Sequence, residues 1–364
     1  MFNDDTRMLR DSAEGFFAGS DSIRRLRQWR DARDLEGAAR GCWAGMVELG
    51  FAGILIPEEF GGAGLDSRAS LQISEIMGRT LSTGPFLSSA VMAATALSHG
   101  DNAALKAELL PSIAAGAIVA LAGEESARHA PLAIGAVARR EGAAFRVSGR
   151  KLAVIDGGVA QKLVVVARHA DSDNRLLMLV VDASSQGVAI TSRMGIDGLP
   201  RVEIAFDDAV ATDLVCDPAR TPALLDRVYD SGRLHLAAEM LGAAQEAFER
   251  AIDYLKTRVQ FGRGIGEFQA LQHRAAILFG ELEIARSVLL KAAAAGTPLH
   301  VSMAKARIGD IANHVAAEAV QFHGGIGVTD DFDLGLFLKR IRVASETLGD
   351  SAFHTERYAE LRGL

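Results

Sequence analysis

The sequence predicts an α+β fold in three successive parts: a helical N-terminal domain over residues 1–116, a central antiparallel β-sandwich or barrel over 117–218, and a C-terminal four-helix bundle over 219–364. Three observations carry that prediction. Apolar residues recur every three and four positions at both ends of the chain, the period of an amphipathic helix. From about Ala120 to Pro218 the pattern changes to short β-type runs divided by turn residues. Beyond Pro222 the helical pattern returns in long stretches, which suits a bundle.

In the first part, Asn3 and Asp4 are placed to cap a helix on which Leu9, Ala13 and Phe16 share a face, and Asp66 to cap another running toward Gly78. The intervening Leu49-to-Gly64 stretch has Pro57 and closely spaced glycines, and reads as an ordered loop. Candidate strands are Ala144–Val147, Lys162–Ala167, Leu176–Val181, Val188–Thr191 and Val202–Phe206. Their turn signals are Glu141-Gly142, Ser148-Gly149, Asp156-Gly157-Gly158, Asp173-Asn174 and Asp207-Asp208. In the last part, Ala237, Met240, Leu241, Ala244, Phe248, Ala251 and Leu255 form one stripe. Leu271, Ala275, Leu278, Leu282, Ala285 and Leu289 form a second, and a third helix spans about His300 to Phe322. The Ala292–Ala295 run permits close packing against a neighbouring helix or another subunit.

Composition narrows the function. Over 364 residues, 49% hydrophobic and 23% charged, the chain is an ordinary globular protein with a large core. A net charge of −7 argues against a nucleic-acid partner. Cys42 and Cys216 are the two cysteines and lack metal-ligand spacing. With an acidic start and no secretory pattern, the expected location is cytoplasmic, and no run of about 18 apolar residues suggests a membrane span. His273, His300, His314 and His323 do not form a metal triad, and no Walker loop, nucleophile elbow or strand-following Gly-x-Gly-x-x-Gly is present.

Two stretches join a helical run to a glycine-containing turn: Arg258-Val-Gln-Phe-Gly262, leading to Gln269, and Gln321-Phe-His-Gly-Gly-Ile-Gly327. An Arg fork pairs phosphate bidentately, amides suit hydroxyls, and glycines let backbone N–H groups come close to a diphosphate. Together they suggest a flavin or nucleotide cofactor.

With Ile56-Pro-Glu-Glu-Phe-Gly-Gly62 near the start, these motifs occur in the order and spacing of the acyl-CoA dehydrogenase family, which the whole chain resembles. The resemblance implies FAD as cofactor, an acyl-CoA thioester as substrate, an electron-transfer flavoprotein as electron acceptor, and a homo- or hetero-oligomer, dimer or tetramer. In that family the last two motifs reach a neighbouring subunit's FAD. Carried over, Arg258 meets the pyrophosphate, Phe261 and Gln269 the adenosine half, and Gln321, Gly324 and Gly325 pack against it. Tyr229, Asp230 and Arg233, read as the start of the first long helix, correspond to residues lining the thioester site.

The sequence also departs from the family pattern. Counting without a gap from Gln321, the Glu base of the commonest branch falls on Leu348, and that of a second branch on Gly232. Glu346, Asp350 and Asp331 are the nearby carboxylates, and a solvated face or a helix-end charge is the simpler account of the first two. The Thr-Glu-Pro turn and Trp-x-Thr segment that flank the flavin ring correspond here to Gly123-Glu124-Glu125 and Ala153-Val154-Ile155. What would serve a neighbour's cofactor is kept, and what would serve the chain's own chemistry is changed. That division is similar to the small-subunit type of paired-chain members acting on pimeloyl-CoA or steroid side-chain esters. The alternatives are a self-sufficient dehydrogenase with a non-standard carboxylate base, and a non-redox CoA-ligand-binding or scaffold protein on the same fold.

Overall fold

The computed structural model describes residues 4–172 and 175–364, so the Asn3 cap and the Asp173-Asn174 turn lie outside the described residues. The first part contains α1 (Asp4–Gly19), α2 (Ser22–Ala32), α3 (Leu35–Arg40), α4 (Trp43–Glu48) and α5 (Ser67–Thr80). A π-helix, Phe86–Ala93, then runs into α6 (Ala94–His99), and α7 (Ala103–Ala114) follows. Asp66 caps α5 as expected, its carboxylate accepting from the backbone of Arg68 and Ala69 at 2.9 and 3.2 Å. The Leu49–Gly64 loop folds into two 3-10 turns, Phe51–Gly53 and Glu58–Phe60.

Seven strands follow: β1 (Val119–Ala122), β2 (Val137–Glu141), β3 (Ala144–Lys151), β4 (Lys162–His169), β5 (Leu176–Asp182), β6 (Val188–Met194) and β7 (Pro200–Leu214). They form one mixed sheet. The order β4-β2-β3-β7-β5 closes on itself because β5 also pairs with β4, while β1 and β6 add to β4 and β7 from outside the ring. Most pairings are antiparallel, but β1 and β2 run parallel to β4, which the expectation of a wholly antiparallel domain did not include.

Two expected turns prove to be irregularities within strands. Asp207-Asp208 lies inside the 15-residue β7, and Ser148-Gly149 inside β3, where the register slips between Val147 and Gly149. Asp208 has φ +55° and Gly149 φ +142°, and a side chain at Gly149 would strike the Ala136 backbone. A bulge of this kind bends a strand and sharpens its twist, which helps a small sheet to close. The ring interior is filled by alternate residues such as Leu163, Val165 and Ala167 of β4 and Leu177, Leu179 and Val181 of β5.

The last part comprises α8 (Thr221–Thr257), a short hairpin β8 (Val259–Gln260) and β9 (Arg263–Gly264), then α9 (Gln269–Ala295), α10 (Pro298–His323), α11 (Leu334–Glu346) and α12 (Ser351–Arg362). By internal contacts the chain divides into two compact units. One holds the described residues up to Arg25, Leu71–Ser82 and Arg233–Leu364; the other holds Leu26–Ser70 and Thr83–Gly232.

Within the first unit, α10 is central and packs against α9, α11 and α12. Helix α5 joins the bundle through glycine. A Cβ at Gly78 would fall on the Glu239 carbonyl oxygen, and one at Gly242 on that of Glu75, so α5 and α8 approach at near-backbone distance. Ion pairs frame that crossing: Arg79 with Glu246 and Glu249, Arg286 with Glu75, and Arg340 with Glu239.

Candidate functional site

In the bundle unit, α8 ends at Thr257 and the chain turns back through β8 and β9, pairing Val259 with Gly264 and Gln260 with Arg263. The two tip residues, Phe261 and Gly262, have φ of +56° and +79°, the signature of a two-residue type I′ turn. The turn pushes Phe261 outward, 88% exposed. Its ring meets Phe268 edge-to-face at 6.2 Å, and the Arg263 guanidinium lies 4.1 Å from the Phe268 centroid. Arg258 stands exposed at the base of the hairpin, its N–H bonded to the Tyr254 carbonyl and its carbonyl accepting from Ile265, both at 2.9 Å. Gln269 is exposed at the start of α9.

The second motif ends α10. His323 Nδ1 lies 2.8 Å from the Ala319 carbonyl, and its ring stacks on Tyr254 at 4.2 Å with Phe332 alongside at 4.8 Å. Burial pushes its imidazole below the ordinary value, which favours a neutral packing and hydrogen-bonding role. Tyr254 precedes Arg258 by one helical turn, so this stack brings the two motifs to one end of the bundle. Gln321, Gly324 and Gly325 are exposed there. Gly324 has φ +64° and caps α10. Gly325 has no positive φ, and a Cβ built on it meets nothing within 4 Å, so nothing in the chain itself requires glycine at that position.

Leu348, at the first expected base position, lies in the turn between α11 and α12. It is buried with φ +58°, a conformation that strains a branched side chain by about 1–3 kcal/mol. The turn is held by buried basic groups. Arg233 Nε donates to the Leu348 carbonyl at 3.1 Å, and Lys305 Nζ donates to the carbonyls of Ser345 and Gly349 at 2.9 Å each. His354 Nε2 is 3.1 Å from the same Leu348 oxygen. Burial, reinforced by Arg233 and Lys305, pushes His354 down to about 2, so it is neutral and meets this carbonyl as the Nε2–H tautomer. Glu346 is exposed and pairs with Arg342 at 3.1 Å, and Asp350 caps α12 by accepting from the Phe353 N–H at 2.7 Å. Asp331 is exposed.

Burial and the nearby Arg233 push Lys305 down to about 7 from its ordinary 10.5. Between those values the unfolded chain binds a proton that the folded chain lacks, so stability rises with pH across that window, by at most about 1.4 kcal/mol per unit. A neutral amine keeps two N–H donors for its two carbonyls, so the turn survives deprotonation. Urea unfolding at pH 7 and 9 should therefore show a gain in the native chain that Lys305→Met lacks. Equal gains in both would disprove the assignment.

Tyr229 and Asp230 belong to the β-containing unit. They do not start α8, which begins eight residues before Tyr229, after a 3-10 turn capped by Asp217 and with Pro222 in its own first turn, so a helix-dipole account of Asp230 and Arg233 fails. Arg233 is also fully buried rather than on a solvated face. Gly232, the second expected base position, is mid-helix.

Beside Tyr229 lies a cluster that the sequence reading did not assemble. Glu124 Oε1 is 2.9 Å from His129 Nδ1, and the His129 and Tyr229 rings meet edge-to-face at 5.3 Å. A Cβ at Gly123 would collide with the Tyr229 hydroxyl, so glycine there makes room for it. Although burial opposes it, His129 and then Tyr229 hold the Glu124 carboxyl below its ordinary value. Lys151, fully buried, ties this segment down through Glu125 at 2.6 Å and the Gly123 carbonyl at 3.2 Å. Glu125 in turn accepts from the N–H groups of Gly135 and Ala136. Leu152 N–H bonds the Glu124 carbonyl at 2.8 Å, leading into a turn where Ala153 and Asp156 both have positive φ. Ser88 of the π-helix donates to Asp156 at 2.6 Å.

Among the described residues no helix is long and apolar enough to cross a membrane, and no cluster of His, Cys, Asp and Glu could hold a metal ion. Residues 3–117 match the acyl-CoA dehydrogenase N-terminal domain and residues 224–361 the acyl-CoA dehydrogenase C-terminal domain. Acyl-CoA dehydrogenase IpdE2 of Mycobacterium tuberculosis is 30% identical over 304 residues, 83% of this chain and 80% of that protein. A 3-sulfinopropanoyl-CoA desulfinase of Paraburkholderia xenovorans is 37% identical over 220 residues, 57% of each. Among solved structures, the Tcur3481-Tcur3483 steroid ACAD G363A variant superposes with a TM-score of 0.88 at 28% identity, covering 99% of this chain and 98% of that one. In sequence and in fold, the chain belongs to the acyl-CoA dehydrogenase family of FAD-dependent oxidoreductases.

Proposed function

We propose that this chain is an acyl-CoA dehydrogenase subunit that completes the FAD site of a related partner chain, in the manner of the small subunit of a paired-chain enzyme, and that the partner brings its own Glu base. FAD, when bound, supplies the acceptor for the hydride that leaves the acyl chain. Arg258 pairs with the diphosphate, Phe261 and Gln269 contact the adenosine half, and Gln321 offers its amide beside the open backbone of Gly324 and Gly325. Tyr229, Asp230 and Arg233 are the substrate-side residues, and an electron-transfer flavoprotein is the expected acceptor.

The observation that carries this reading is Gly325, a glycine that no conformation or neighbour in the chain demands, at the same end of the bundle as the exposed Arg258 and Phe261. Such a set fits a ligand approaching from outside the chain. At the ring end the fit is poorer, because Ala153 and Ile155 offer neither an aromatic wall nor a hydroxyl. Exposed apolar residues of α9, including Ile277, Phe279, Ile284 and Leu290, support coverage by another subunit. The similar steroid enzyme also carries a two-part designation.

Arg258→Ala removes the charge-assisted phosphate contact, and should weaken FAD retention in the assembled complex by roughly 10-fold or more. Flavin absorbance after gel filtration measures it. Unchanged flavin content in a complex of native size would show that the diphosphate lies elsewhere.

A further inference from the structure

Both expected base positions hold residues that cannot accept a proton, and Glu346 and Asp350 are occupied as a surface ion pair and a helix cap. The β-containing unit nevertheless keeps an imidazole and an ionised carboxylate 2.9 Å apart, with side chains 4% and 14% exposed. Three features of the same unit mark its surroundings as a candidate site, the first reaching the pair through the Ser88–Asp156 hydrogen bond and the 152–156 turn. The π-helix bearing Ser88 is one, since such helices concentrate at functional sites. A second is the strained turn at Ala153 and Asp156, linked to Glu124 through the Leu152 N–H. The third is the buried Lys151, which fixes the Gly123–Glu125 segment that carries the carboxylate.

We propose that Glu124 and His129 form the proton-transfer pair of this chain's own substrate site, His129 taking the α-proton of a bound acyl-CoA thioester while Glu124 holds the imidazole by Nδ1. In that step the α-carbon–hydrogen bond breaks and an Nε2–H bond forms. The electron pair passes onto the thioester carbonyl, and Glu124 balances the imidazolium charge. Return of the proton restores the thioester, so the step needs no oxidant. Tyr229 sets the pair in place from α8, its hydroxyl occupying the space left by Gly123. The inference rests on the acyl-CoA reading above and goes beyond it, since it assigns acid–base chemistry to a chain without the Glu of its relatives.

Deuterium exchange at the α-carbon tests it without recourse to turnover. The full chain, purified alone and supplied with FAD, is incubated in D2O with straight-chain, aryl and steroid side-chain acyl-CoA thioesters, and the recovered thioester is weighed by mass spectrometry. Exchange should fall about 100-fold or more in His129→Gln and in Glu124→Gln. It should return in His129→Gly when imidazole is added, a rescue that a merely structural histidine would not show. Thermal unfolding of each variant separates lost chemistry from lost folding, and Glu124→Gln retains the shape of the pair if His129→Gly does not fold. Native exchange rates in a folded His129→Gln, or no exchange by a native chain that calorimetry shows to bind a thioester, would overturn the pair. A native chain that binds none of the thioesters would instead overturn the acyl-CoA reading, and the pair with it.

Discussion

In a His129→Gln background, which lacks the native base proposed above, Leu348→Glu should raise the α-proton exchange of the FAD-supplied chain by on the order of 100-fold or more, the usual contribution of a placed general base. The turn needs little rebuilding to accept it. The backbone at 348 is already left-handed, a strain that Glu shares with Leu, and the surrounding carbonyls are held by Arg233, Lys305 and His354. Arg233 and Lys305, which hold the backbone carbonyls of this turn, would offset the desolvation of a carboxylate there and keep it ionised at neutral pH. Lys305 would regain a higher pKa from the same interaction, so the rise of stability between pH 7 and 9 should shrink. If the variant folds to native stability yet exchange does not increase, the 348 turn does not face the thioester.

Gly242→Ala should destabilise the bundle by about 3 kcal/mol or more, although Ala is the better helix former by about 1 kcal/mol. The added methyl would fall on the Glu75 carbonyl oxygen, a backbone atom that no rotamer change can move, so α5 and α8 must separate. Separation also pulls Arg79 from Glu246 and Glu249, and Arg286 from Glu75. Because Gly78 presents the reciprocal contact to Glu239, the double variant should lose less than the sum of the singles, the helices having already moved apart. Chemical denaturation of the three variants measures this. A neutral or stabilised Gly242→Ala would mean that propensity outweighs the close approach.

Much of the fold is local and therefore readable. Periodic apolar stripes mark α8, α9 and α10, and Asp66 behaves as its sequence position suggests because capping involves only the next turn. The rest of the fold depends on distant partners. Strand β1 is four residues with two alanines, and β2 shows Arg139, Arg140 and Glu141 to solvent, so neither has a strand-like composition; the parallel edge of β4 defines β1, and pairing with β3 and β4 defines β2. Asp207-Asp208 and Ser148-Gly149 have turn composition, but face one another as a bulge across β3 and β7.

The candidate site divides in the same way. The two glycine motifs are contiguous words and were legible. Glu124 and His129 lie five residues apart in the irregular loop between β1 and β2, while Lys305 and His354 come from separate helices around Leu348, and no spacing rule announces either pair. Lys305 in particular reads as one more helix-surface lysine until the burial of its whole side chain is seen.

The hairpin that lifts Phe261 clear of the bundle has a consequence for how an assembled enzyme would respond to dilution. A cofactor bridging that hairpin and a second polypeptide makes flavin loss and subunit separation a single linked equilibrium, in which each tightens the other by the same factor. Diluting the assembled protein should then release its flavin into solution, and added FAD should drive the separated chains back together, so that flavin supply would govern quaternary structure as much as activity.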